Sequence, residues 1–204
     1  MNIIPLLFIL FALFDAEEND MFDAIKRGNS EAYAAFFNRN YDALYRYLKN
    51  LGLEHEEVQD LVQNSFIYIW DHKQAIDSTR SLKAYLFKIG YSRMLNYMRD
   101  QKKINHPENL DFFEQIESDA DTEISAAKNL DKSILEIKQR QTQQAISKAI
   151  ESLAPKRQEA FRLCYLENFS YAEAAEIMGV SKKTVEHHMS LALADLREQL
   201  KKLI

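Results

Sequence analysis

The stretch Tyr171–Leu191 holds the side chains whose types and spacing are most specific in this sequence. Ser170 and Glu173 fit an S-x-x-E capping box, which starts a short helix. Counted from Tyr171, Ala175, Gly179 and Val185 take the fifth, ninth and fifteenth places of a helix-turn-helix. Alanine lets two helices cross closely, glycine suits the left-handed conformation of a tight turn, and valine packs the second helix on the first. Ser181 is placed to cap that second helix. At about 100° per residue, Val185, Met189, Ala192, Leu193, Leu196 and Leu200 share an arc of roughly 100°, the core side. Lys183, Glu186, His187 and Ser190 project on the other side, from the turns that reach base edges in the major groove. Lys182 and Thr184 flank them with groups suited to phosphate contacts. The alternative is a helical hairpin that merely packs. His187 and His188 are adjacent and diverge, and no further ligand is spaced to complete a metal site.

A second constellation lies in Ser81–Lys103. Leu86, Phe87, Gly90, Met94, Tyr97 and Met98 fall on one side of a helical wheel. Tyr85, Lys88, Ser92, Asn96, Arg99 and Lys103 converge within roughly 80° on the other. Six basic residues and one acid make this stretch net positive. A basic stripe interleaved with an aromatic ring and an amide suits phosphate neutralisation with base stacking. A solvated charged face is the competing reading. Glu54–His72 has the opposite character, with five acids and no Lys or Arg. Its outward face carries Asp60, Gln63 and Asn64 together with Ile67 and Trp70. An apolar pair opposite the core stripe points to a protein partner, unless Trp70 folds under the next loop.

Helices must position these groups, and the composition agrees. The chain has 204 residues, of which only four are glycine and four valine, a poor stock for glycine-rich phosphate loops or strand-rich sandwiches. With 26 Lys+Arg against 31 Asp+Glu the formal charge is −5, which excludes a uniformly basic coat. The single cysteine, Cys164, excludes an intramolecular disulfide framework and fits a reducing cytosol. Helices are expected near Glu31–Asn50, with Phe37, Tyr41, Leu44 and Leu48 on one stripe, and near Glu54–His72, with Val58, Leu61, Val62 and Ile69. Pro155 can open a later one. Pro107–Glu123 has seven acids and no basic residue, and reads as a mobile tether. The expectation is an all-α chain: two small helical domains, 15–105 and 135–204, joined by a flexible acidic linker over 106–134, the second domain a helix-turn-helix.

Residues 1–14 form an apolar N-terminal extension. It is shorter than the roughly 20 residues that span a bilayer, and no Lys or Arg precedes Lys26. A start at Met21, a surface-packed or disordered extension, a weak membrane anchor and a non-standard export signal all remain open.

The order of an acidic docking helix, a basic aromatic helix, an acidic tether and a helix-turn-helix resembles bacterial RNA polymerase sigma factors. Asp60-Leu61-Val62-Gln63, Ala84-Tyr85-Leu86 and Ser170–Leu191 carry that resemblance over about Asn19 to Leu200. The compact extracytoplasmic-function group is the nearest pattern. The resemblance implies a cytoplasmic transcription initiation factor, nucleoid-associated when active, that needs no cofactor and performs no covalent chemistry. It implies that Asp60, Gln63 and Trp70 take clamp-docking positions on core RNA polymerase, with Asn64 and Ile67 beside them. Asp71–Thr79 corresponds to a pocket for a flipped-out base. Lys88, Ser92, Asn96, Tyr97 and Arg99 fall where the minus-ten non-template strand is contacted, and Glu186, His187 and Ser190 where the minus-thirty-five element is read.

Several positions depart from the family pattern. Asn64 replaces a common acid, Ser92 a common asparagine, and Glu186 and Leu191 common basic residues. The run Val185-Glu186-His187-His188-Met189 resembles Bacteroidetes-like members, which often answer to a membrane-anchored anti-sigma protein. A response-regulator-like protein would need a receiver with alternating strands and helices, and that pattern is lacking. His55-Glu56-Glu57 lacks the second histidine of a zinc-protease motif. A membrane-tethered interaction protein would require the apolar start to be functional.

Overall fold

The computed structural model describes residues 20–77, 80–105 and 144–201, which are helical almost throughout. The apolar start, the acidic linker and Ser78–Thr79 lie outside the described residues. The chain divides into two compact units.

The first unit is built from α1 (20–26), α2 (Ser30–Lys49), α3 (His55–His72) and α4 (Leu82–Asn105). Gly28 ends α1 at φ +85°, a conformation that an L side chain adopts only with strain. Asn29 then caps α2, its side-chain oxygen accepting from the N–H groups of Glu31 (2.9 Å) and Ala32 (3.0 Å). Gly52, at φ +89°, turns the chain into α3. Glu54 and Glu57 form a reciprocal capping box at the start of α3, and the Glu54 N–H donates to a Glu57 carboxylate oxygen at 2.9 Å.

The core of this unit joins Phe36, Leu44, Tyr47 and Leu48 of α2 to Val58, Val62, Phe66 and Ile69 of α3 and Leu86, Phe87, Tyr91 and Met94 of α4. The expected α2 stripe is therefore rotated. Phe37 and Tyr41 sit half-buried on the seam toward Phe66, with Phe37 and Phe66 centroids 4.7 Å apart, while Phe36 and Asn40 enter the core. Asn40 tolerates burial because its amide donates to the Phe36 carbonyl at 2.8 Å. Gly90 leaves room for α2 side chains against α4: a Cβ there would lie 2.9 Å from Leu44 Cδ1.

The second unit contains α5 (144–151), α6 (Pro155–Phe161), α7 (Tyr171–Met178) and α8 (Lys182–Lys201). Pro155 opens α6, where its missing N–H costs nothing. Ala149, Ile150 and Leu153 pack on Ala192 and Leu196 of α8, with Phe161 and Leu200 against them. After α6 the chain widens into a single π turn, Arg162–Leu166, which periodicity did not foretell. Arg157 of α6 meets Asp195 of α8 at 2.6 Å, a contact that ties the two helices together.

Candidate functional site

Three groups of side chains were expected to do the work, and the structure places each of them. On α3, Asp60, Gln63, Asn64 and Ile67 are exposed along one outward strip, with Ile67 at 55%. Trp70 behaves differently from the outward apolar ring expected beside Ile67. It is half-buried, with its ring 4.8 Å from that of Tyr33 on α2 and the Lys73 ammonium 4.0 Å from its centroid.

On α4, Ser92, Asn96 and Arg99 are exposed and Lys88 is half-buried, all on the predicted side. An Arg99 Nη2–H donates to Asn96 Oδ1 at 2.9 Å, so amide and guanidinium act as one unit. Lys103 lies further along α4, its side chain outside the described residues. Tyr85 turns toward α3. Burial first, and then its hydrogen-bonded neighbour Tyr68, push its phenol above the usual tyrosine range. Tyr68 in turn stacks on His72 at 4.0 Å, and the Arg93 guanidinium lies 5.3 Å from its centroid. This cluster of Tyr68, His72, Tyr85 and Arg93 escaped the sequence reading, although Tyr68 and His72 sit one helical turn apart. Tyr97, on the core side of the wheel as expected, donates its hydroxyl to a Glu57 carboxylate oxygen.

In the second unit the turn forms as its residues dictate. Ser170 and Glu173 make the reciprocal capping box of α7, and Gly179 takes φ +66°, ψ +32°. Ala175 and Val185 are buried where α7 and α8 meet. The Thr184 N–H donates to Ser181 Oγ at 3.1 Å, and the two hydroxyls lie 2.8 Å apart, so both serve the start of α8. Lys183, Glu186, His187 and Ser190 are exposed on its outer side. Lys182 approaches Glu186 at 3.8 Å, which offsets that carboxylate on the outer side of α8. The positive end of the α8 dipole adds to Lys182 and Lys183.

Burial pushes the Cys164 thiol up to about 11, so it stays protonated near neutrality. Among the described residues no group of three or more His, Cys, Asp or Glu could hold a metal ion, and no helix is long and apolar enough to cross a membrane.

The comparisons with known proteins follow the same division. Residues 36–104 match Sigma-70 region 2, and residues 143–196 match Sigma-70, region 4, together more than half of the chain. Matches to both of these regions in one chain define an RNA polymerase sigma factor, a protein of transcription initiation. This chain belongs to the sigma-70 family, as an extracytoplasmic-function (ECF) type member. It is 26% identical over 169 residues to the RNA polymerase sigma factor CnrH of Cupriavidus metallidurans, covering 83% of this chain and 86% of that protein. The structure of CnrH in complex with the cytosolic domain of CnrY has the same fold, with a TM-score of 0.57 at 22% identity, covering 91% and 97% of the two chains. The ECF sigma factor SigL of Mycobacterium tuberculosis is 25% identical, covering 86% and 95%. RpoE of Bartonella quintana, solved with the anti-sigma factor NepR, superposes with a TM-score of 0.57 at 25% identity, covering 83% and 96%.

Proposed function

We propose that this chain docks on the clamp of core RNA polymerase through the outward strip of α3, directs it to promoters, and helps to melt the minus-ten element. Asp60, Gln63, Asn64, Ile67 and Trp70 form the docking face. Lys88, Ser92, Asn96, Tyr97 and Arg99 take the non-template strand, with Tyr85 and Lys103 beside them, and the 71–79 segment captures an unstacked base. Lys183, Glu186, His187 and Ser190 read the minus-thirty-five element, while Ser181, Lys182 and Thr184 secure α8 near phosphate. The observation that carries this reading is the pairing of two surfaces in one family member. One is a basic stripe on α4, the other an exposed polar row on α8 behind a left-handed glycine turn.

Melting costs a few kcal/mol of unstacking, offset by base capture. A net charge of −5 weakens binding to random DNA, so recognition depends on the polymerase. The chain acts in the cytoplasm, and an anti-sigma protein, membrane-anchored as in Bacteroidetes-like systems, silences it by masking the docking faces. The solved complexes of CnrH with the cytosolic domain of CnrY and of RpoE with NepR support that partner class. Run-off transcription from a promoter library, with purified core polymerase in the presence and absence of the chain, tests the reading. Transcripts from a defined promoter subset that require the chain support it, and identical transcripts without the chain refute it.

A further inference from the structure

We infer that Tyr33 and Lys73 are positioning residues for the docking face, and that they act by fixing the orientation of Trp70. The inference rests on the proposed docking role of α3, and it assigns work to α2, which the sequence reading treated as scaffold. Trp70 borders the exposed strip of Asp60, Gln63, Asn64 and Ile67, and a large ring strengthens an interface most when its orientation is set beforehand.

Two contacts set that orientation. Tyr33 lays its ring 4.8 Å from that of Trp70 at an interplanar angle of 50°, and its hydroxyl donates to the Phe66 carbonyl at 2.8 Å. In an α-helix that carbonyl is the acceptor of the residue-70 N–H, so Tyr33 grips the turn that carries the tryptophan. Burial, with the Asp71 charge nearby, pushes the Tyr33 phenol up to about 12, and it remains a donor at any physiological pH. Lys73 places its ammonium 4.0 Å from the Trp70 centroid and also donates to the Trp70 carbonyl at 2.9 Å. The ring is thereby held from the neighbouring helix and from the turn that follows its own.

Trp70 is the sole tryptophan of the chain, so 5-fluorotryptophan labelling gives a single ¹⁹F resonance that reports this ring. The test compares Tyr33→Phe, Tyr33→Ala and Lys73→Ala in the full chain. It reads thermal stability, the ¹⁹F shift and the affinity for purified core polymerase. Val58→Ala, on the buried side of the same helix, calibrates what lost stability alone does. Tyr33→Ala and Lys73→Ala should move the resonance and weaken polymerase binding on the order of fivefold to tenfold. Tyr33→Phe, which keeps the ring contact but loses the bond to the Phe66 carbonyl, should fall between the parent and Tyr33→Ala in both readouts. Weakening no greater than that of Val58→Ala at matched stability would overturn the inference. Ile67→Ala separates the two levels. If it lowers affinity while Tyr33→Ala and Lys73→Ala do not, positioning fails and docking stands. If Ile67→Ala has no effect, docking through this face fails, and positioning with it.

Discussion

One carboxylate, that of Glu57, serves two helices: Oε2 accepts the Glu54 N–H at the start of α3, and Oε1 accepts the Tyr97 hydroxyl from α4. The side chain that closes the capping box therefore also pins the far part of α4. Replacing Glu57 by alanine should lower stability by about 1 kcal/mol, the usual worth of such a cap. Tyr97→Phe, which leaves the cap intact, should cost less. Thermal melts of the two variants and the double variant check this: Glu57→Ala already removes the Tyr97 bond, so fully additive losses would mean that the bond contributes nothing.

The basic stripe of α4 should matter for opening DNA rather than for holding the polymerase. Lys88→Glu with Arg99→Glu should lower permanganate reactivity of minus-ten thymines about tenfold or more at moderate salt, since two phosphate partners become repulsive. Polymerase pull-down should be unchanged. Undiminished reactivity would remove the stripe from the mechanism.

On α8, His187 is exposed amid the outer row. His187→Ala should change which upstream elements are preferred, with a penalty of about 1–3 kcal/mol at the base it contacts. Selection from a randomised minus-thirty-five library shows whether preference moves at one position or affinity falls uniformly, the latter marking a phosphate contact.

His188 should make the second unit mildly sensitive to acid. Burial, and then the positive neighbours His187, Lys156 and Arg157, lower its pKa from the ordinary histidine value, against the opposing pull of Glu159. A depressed folded-state pKa means that the unfolded chain binds the proton first. The stabilising contribution is thus complete above about 6.5, the unfolded value, and drains away as pH falls below it. Melting temperatures measured from pH 8 to pH 5 should show a slope that His188→Gln reduces. An equal slope in both proteins would contradict the assignment.

Much of this architecture was legible from local chemistry. The Ser170–Glu173 box, the Gly179 turn and the burial of Ala175 and Val185 follow from residue type and spacing alone, because each is a contact within a few residues of chain. The face of α3 from Asp60 to Ile67 was also readable, since one helical period sorts inside from outside. What the wheel missed depends on which neighbour each flank meets. Trp70 looks outward on its own helix, yet Tyr33 covers it from 37 positions earlier in the chain. The wheel put Tyr97 on the inner side of α4, but that its hydroxyl meets Glu57 depends on how α3 lies against α4. The aromatics of α2 at four-residue spacing, Tyr33, Phe37, Tyr41 and Tyr45, were the available clue to that seam.

The short bridge between Arg157 and Asp195 has a consequence for how this chain can change its target. It anchors α8 behind its outer row, so swinging the helix to meet a new sequence would break a half-buried ion pair. On the proposed reading, a new promoter preference is then reached most easily by exchanging side chains at 183, 186, 187 and 190 on an unmoved backbone, as type is changed in a fixed frame.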